Sequence, residues 1–228
     1  AGDKEREQPA ALERRRTQAQ TDQGYQTARR DKLNDLVAAT NDLSQTALGS
    51  AVNGFFDAAD GLERRPASIV DRQTLLARAA TLAGAFNQRY GAIAGVQRAA
   101  DAKIVDLAAR ANVAVATIAK ANQGIAHAQA SGQAANDLLD QRTTALNELS
   151  AMLGVSASVD QYGSVRVAGD SGIVFVENGV VINRITVAAG AAGLDGHNLH
   201  DLTFTNTENG QSRALPDSLT RGAFGGLF

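Results

Sequence analysis

His197 and His200 have the strongest claim to chemistry in this sequence, forming an H-x-x-H pair beside Asp195 and Asp201. Histidine with carboxylate suits zinc or nickel. The pair falls in a predicted loop and strand, and no glutamate accompanies it as the general base does in H-E-x-x-H on a helix face. A metal site is therefore not expected. His127 stands on a predicted helix without a partner motif. Asp137 and Asp140 could be drawn as an acid/base pair, but they sit in a first helical turn, where the macrodipole favours carboxylates. Gly190, Gly193 and Gly196 recur every three residues, yet no lysine follows and no helix opens there, which excludes a phosphate loop. With Cys at 0 there is no thiolate ligand, no cysteine nucleophile and no disulfide. No catalytic, cofactor-binding or metal-binding residue is assigned, no cofactor is expected, and the chain reads as a non-enzyme.

The elements that would position such residues are dominated by one stretch. Residues 68–130 contain no proline, and as a single helix they would rise on the order of 90 Å. Ala100, Ile104, Leu107, Ala111, Ala114, Ile118, Ala121 and Ile125 alternate steps of four and three, a coiled-coil rhythm. Upstream, Leu75, Ala79, Leu82, Phe86 and Ile93 continue a looser apolar face. Pro66 precedes this helix, and Ser68 can cap it with Asp71 at the third position. Ser131 and Gly132 close it. Gly84, Gly91, Gly95 and Gly124 lie inside and each costs about 1 kcal/mol against alanine. They fit either close helix approach or bends, and continuity through Gly91–Gly95 stays open.

Before it, a charged helix is expected from Pro9 to Ala39, after a frayed polar start over residues 1–8. Its apolar minority is Leu12, Ala19, Tyr25, Leu33, Leu36 and Val37. The arginines at 14–16, 29 and 30, balanced by Glu13, Asp22, Asp31 and Asp35, read as a solvated face rather than a nucleic-acid surface. Thr40, Asn41, Asp42 and Ser44 make a polar break. A shorter helix over 46–64 carries Leu48, Val52, Phe55, Phe56, Ala59 and Leu62, the phenylalanine pair acting as a packing plug against the long helix. After it, Asn136 caps a helix over 137–153 whose buried stripe is Leu138, Leu139, Ala145, Leu146, Leu149 and Met152.

From Val155 the period changes to two. Residues 155–159 and 164–168 alternate around a turn at Tyr162 and Gly163. Residues 173–176 and 180–182 flank Asn178-Gly179, a hairpin signal. Residues 184–187 can continue that strand, 190–196 form a small-residue loop, and 202–205 make another strand. The fold class is α+β: an elongated antiparallel bundle of long helices over 1–154, then a small antiparallel β-rich domain over 155–228. Four to six strands are expected between Val155 and Leu215. Gly222 to Phe228 stop on apolar residues.

Totals narrow the functions. A formal charge of −2 gives no general pull toward nucleic acid or an anionic membrane, and no run of eighteen apolar residues spans a bilayer. Much of the apolar content is alanine, which favours close packing over a large pocket. The polar start at Ala1 and the apolar stop at Phe228 read like cut edges of a longer chain.

Several fragments, in order, resemble bacterial flagellar hook-associated protein 1, the hook–filament junction family. Asn136-Asp-Leu-Leu-Asp-Gln-Arg142 with Leu146-Asn-Glu-Leu-Ser150 resembles its N-D-L-x-D-x-R helix. Val155 to Val167, with Gly163, Val165 and Val167, resembles the alternating segment that follows. Ser50 to Phe56 with Leu62 and Pro66, Arg72 to Leu76 with Ala79, Leu82 and Phe86, and Ile118 to Ile125 match its helical motifs. Gly222 to Phe228 resembles the return into its helical domain. The resemblance runs from about Leu12 to the end.

It implies a structural axial protein of the flagellum, exported through the flagellar channel to the outside of the cell. Its implied partners are copies of itself and the adjacent hook and junction or filament proteins. The terminal segments that the family uses for export and assembly lie outside this sequence, so the piece alone is expected to be monomeric. Helices would carry torque and the β domain would face neighbours. Flagellin or the third hook-associated protein is the alternative of the same class. A helical-stalk adhesin or sensor is the alternative of another class, which the absence of Trp in a sugar-binding platform disfavours.

Overall fold

A computed structural model describes residues 2–40, 47–160, 162–170, 172–214 and 221–227, without the side chains of 2–11, 13 and 47. Asn41, Asp42, Ser44, Thr46, Leu215 and Phe228 lie outside the described residues, as does the Glu13 side chain. The order is α1 (Gly2–Thr40), α2 (Ala47–Arg64), α3 (Ile69–Ala130), α4 (Asn136–Met152), then β1 (Val155–Val159), β2 (Val165–Gly169), β3 (Val174–Glu177), β4 (Val180–Val181), β5 (Asn183–Ala192), β6 (Asn198–Asn206), β7 (Ser212–Ala214) and α5 (Gly222–Leu227). Helices followed by small antiparallel sheets are the α+β class expected.

The chain divides into two compact units: one of residues Ala1–Lys32, Ala100–Ala191 and Asn198–Phe228, the other of Leu33–Ala99 and Ala192–His197. The first holds the main core. Its α3 seam follows the expected spacing from Ile104 on: Ile104, Leu107, Ala111, Ala114, Ile118, Ala121 and Ile125 are buried, while Ala100 is half-buried. Each large aliphatic side chain buried contributes about 1.5–3 kcal/mol. On α4, Ala145, Leu149 and Met152 complete the core, but Leu139 is exposed. Asn136 is the first helical residue rather than the cap; the cap is Ala135 and makes no side-chain bond. Asp137 is in the first turn, and Asp140 falls one residue beyond it. The α4 helix runs back along α3, with Leu138 against Gly124 and Arg142 beside Asn122.

Two sheets pack on these helices. One has the order β1-β2-β3-β4 and the other β5-β6-β7. Val155 to Val159 pair with Val165 to Gly169 in antiparallel register. The Asn178-Gly179 turn has φ of 49° and 72°, the two positive values that a type I′ hairpin requires. Phe175 of β3 meets Phe204 of β6 edge to face at 5.5 Å, which joins the sheets inside the core. Among the described residues there are seven strands, where four to six are expected from the sequence. The segment 184–187 belongs to β5 in the second sheet rather than continuing β4. Gly190 lies in β5, not in a loop; Ala188 to Ala192 alternate too weakly in hydropathy for the sequence to show the strand.

The helix α1 starts at Gly2, so Pro9 is not in its first turn; Lys4, Glu5, Arg6 and Glu7 are good helix formers. Its buried face is not the apolar minority. Thr17 and Thr21 are buried, whereas Leu12, Leu33, Leu36 and Val37 are exposed. The Thr21 hydroxyl donates to the Ser150 carbonyl at 2.8 Å. Gly24 presses so closely on α4 that an added Cβ would stand 1.9 Å from the Ala151 oxygen. On the other side, α5 buries Phe224 completely, and Lys32 Nζ donates to the Leu227 carbonyl at 2.6 Å.

In the second unit, α3 is one helix through Gly91 and Gly95, both in open space, as is Gly84. Ser68 caps it, its hydroxyl accepting the Asp71 N–H at 3.2 Å. At its far end, in the first unit, Gly132 adopts φ 67°, and the N–H groups of Gly132 and Gln133 return to the carbonyls of Gln129 and Ala128. That is a complete Schellman closure. Two expected core residues differ: Phe86 is 53% and Phe56 61% exposed, while Phe55 is half-buried.

Two glycine substitutions should move stability in opposite directions in urea unfolding. Gly24→Ala drives a methyl into the α4 backbone and should cost about 3 kcal/mol or more. Gly91→Ala adds a methyl to a solvated helix interior and should gain about 0.5–1 kcal/mol.

Candidate functional site

The histidine pair is not brought to one point. Asp101 accepts the His200 backbone N–H at 2.7 Å, and its other oxygen is 2.7 Å from His200 Nδ1. His197 pairs instead with Asp195, Nδ1 to Oδ1 at 3.3 Å. Asp201 stands against Gly190. Among the described residues no group of three His, Cys, Asp or Glu could hold a metal. These contacts anchor a hairpin rather than assemble a ligand set. Leu194 donates its N–H to Gln97 Oε1 at 2.8 Å, and Asp195 pairs with Arg98.

Asp195 carries the resolved electrostatic perturbation. Desolvation acts to raise its carboxyl. The His197 backbone N–H, the Arg98 guanidinium and the His197 ring outweigh it and hold the group below its ordinary 3.8. The folded chain therefore binds this proton less readily than the unfolded one. The group's stabilising contribution is present above about pH 3.8 and is lost as pH falls through the lower folded value.

The remaining candidates are placed apart. Asp137 and Asp140 are exposed on the start of α4. His127 is exposed on α3, in its last turn. Arg15 and Arg16 are exposed, and Arg30 lies 3.3 Å from Asp31, a solvated face as read from the charges. Among the described residues no helix is long and apolar enough to cross a membrane. A groove of about 700 Å³ opens between α1, α3, α4 and α5, with Gly24, Leu107, Met152 and Leu227 in its floor. Lys103, Asp106, Arg110 and Glu148 alternate in sign around it, and it holds no histidine.

What the chain does build is a polar node inside the first unit. Asn122 on α3 is 2% exposed. Its amide donates to the Val165 carbonyl at 2.8 Å and accepts the Val165 N–H at 3.1 Å. Arg142 on α4 donates to the same Asn122 oxygen at 3.1 Å and to the Gly163 carbonyl at 2.7 Å. Gly163 has φ 76° and carries the turn between β1 and β2. Asn122, Arg142 and the Gly163–Val165 pair come from three separate sequence fragments, each quoted above for the family resemblance, and they meet here. Asn112 repeats the device one sheet away, with its amide bonded to both the N–H and the carbonyl of Ile185 at 2.9 and 2.7 Å. Gln123 donates to the Gly179 carbonyl at 2.7 Å. The roles of Asn112 and Gln123 escape sequence reading. The available signal is an amide within two residues of a buried seam position, Asn112 after Ala111 and Gln123 after Ala121.

The second unit has a different character. It buries Ala51 and Ala94 but leaves Leu33, Leu36, Val37, Phe56, Leu76, Phe86 and Tyr90 between 38% and 70% exposed. Such an apolar surface suits association more than solvent.

Asn122→Ala strands the Val165 backbone pair and one Arg142 donor, and should cost about 2–4 kcal/mol in equilibrium unfolding. In an NMR pH titration, Arg98→Ala should move the Asp195 carboxyl midpoint up toward 3.8.

Comparison with known proteins supplies the context. A family model described as the helical domain of the flagellar hook-associated protein FlgK matches residues 33–228. No curated protein matches the chain. Among solved structures, the flagellar hook junction protein FlgK from Burkholderia pseudomallei aligns over 93% of this chain with a TM-score of 0.81 and 24% identity. The chain spans 38% of that protein's length. At this identity the structural likeness speaks for the fold, and the family model speaks for descent. Because the matched span takes in α2 to α5 and both sheets, with Asn122 and Arg142 inside it, the chain belongs to the flagellar hook-associated protein FlgK family, within that family's helical domain.

Proposed function

We propose that this chain serves as a structural part of the bacterial flagellar axis, at the joint between hook and filament, and carries out no catalysis. The observation that carries the reading is the family match over 33–228. Its partners on this reading are neighbouring copies of itself and the adjacent hook and junction or filament proteins. Its place is outside the cell, reached by export through the flagellar channel. Residues 1–154 act as the helical part that transmits torque, and residues 155–228 as the β part that turns back toward it through α5.

The physical features of the chain support such a role. A part that passes torque needs elements that do not slide, and the Asn122 and Arg142 bonds tie α3, α4 and β2 at fixed register. A part that assembles with copies needs apolar surface left over after folding, and the second unit has it. The absence of Cys leaves no thiol to form a wrong disulfide outside the cell.

The test is immunogold electron microscopy on the flagellated bacterium that encodes the protein, with an epitope inserted in the exposed Asn209-Gly210 turn. Label confined to the boundary between hook and filament is expected. Label spread along the filament, or absent from flagella, would overturn the assignment.

A further inference from the structure

Two faces of the second unit carry complementary chemistry. On α3, Ile69, Leu76, Ala83 and Tyr90 recur every seven residues, and all are exposed. Phe86 and Arg72 lie within the same band by helical spacing. Leu75, Ala79 and Leu82 already turn the adjacent face inward. This part of α3 is therefore apolar on two faces, of which the described residues cover one. Arg72 is the only charge on the open band. It spends one donor on the Pro66 carbonyl at 2.8 Å, and a guanidinium has five.

The outer face of α2 is the counterpart. Phe56, Asp60 and Glu63 follow at helical spacing, with Asp57 beside them, and all four are exposed. Among the described residues these carboxylates have no ion-pair partner, while Phe56, one turn before Asp60, is 61% exposed. An aromatic anchor followed by acids fits an apolar band that carries an arginine.

We infer that the α2 face of one copy packs on the α3 band of a second copy, Phe56 against Leu76 and the acids around Arg72. This deepens the proposed function and rests on it, since it names the surface by which neighbouring copies meet. The two surfaces differ, so the contact is head-to-tail and can continue around a ring instead of closing as a pair. At 50% to 70% exposure the four large side chains of the band offer on the order of 500 Å². A stable pair needs about 800 Å² per partner. The contact is accordingly weak in dilute solution and forms when copies are held close.

The chain has no Cys of its own, so oxidative cross-linking is clean. A Phe56→Cys chain mixed at millimolar concentration with a Leu76→Cys chain should give a mixed disulfide dimer, at least fivefold above either self-linked species. Adding Arg72→Glu to the second chain should reduce it severalfold, and Asp60→Arg in the first chain should restore it. Circular dichroism confirms that each exposed-site variant is folded. Predominant linking of Leu76→Cys chains to each other would show a two-fold contact and overturn the inference, as would no mixed dimer at all. Either result leaves the immunogold localisation free to stand, so failure here and failure of the flagellar assignment are distinguishable.

Discussion

One buried amide fixes α3 against α4 and the first sheet. The α3 seam of alanine and isoleucine would pack almost as well if the helix shifted by a heptad, because its spacing repeats. The Asn122 side chain does not allow that shift. It matches the donor and acceptor of one residue, Val165, and any slide leaves three polar groups buried without partners. Unpaired buried groups cost about 1–3 kcal/mol each, more than a small loss of apolar contact. Hydrophobic burial thus supplies most of the stabilisation, and the amide chooses the register. Arg142 extends the same choice to α4 and to the Gly163 turn, where its charge meets oxygens already aimed at it.

Packing around this node depends on small residues. Alanine buries little area, so an alanine-rich helix gains stability only when its neighbours come close. Gly24 allows α1 to touch the α4 backbone, and Gly226 allows α5 to touch α1 at the Tyr25 carbonyl. Gly222, with φ 65°, lets the chain enter α5 directly against the Met152 carbonyl. These contacts also explain why threonine and not leucine fills the buried face of α1. A hydroxyl at Thr21 bonds a carbonyl of α4 across a gap too narrow for a larger side chain.

Much of this was legible before the structure. The α3 seam, the caps at Ser68 and Gly132 and the Asn178-Gly179 hairpin follow local rules with little competition, and each stands where spacing put it. Phe56, Phe86 and Leu139 were misread because hydropathy reports a preference for burial and not what is available to cover a face. The inward face of α1 was missed for the converse reason: threonine, glycine and alanine carry almost no periodic signal. The length of β5 was hidden by its run of alanine and glycine, which neither alternates nor forms a helix. The histidines illustrate a third limit. Spacing placed His197 and His200 together on paper, while the turn at Gly196 gives each its own aspartate. The node residues were visible as fragments of a resemblance, but only the fold shows that they touch.

The Asn112 amide has one more consequence. The strand β5 lies at an edge of its sheet, where unpaired N–H and carbonyl groups invite another strand to add on. At Ile185 both groups are already taken by a helix side chain that imitates the next strand. The helix therefore closes part of that border without lengthening the sheet. Many copies of such a chain can fold side by side with one fewer place for a foreign strand to join, so crowding favours ordered neighbours over tangled ones.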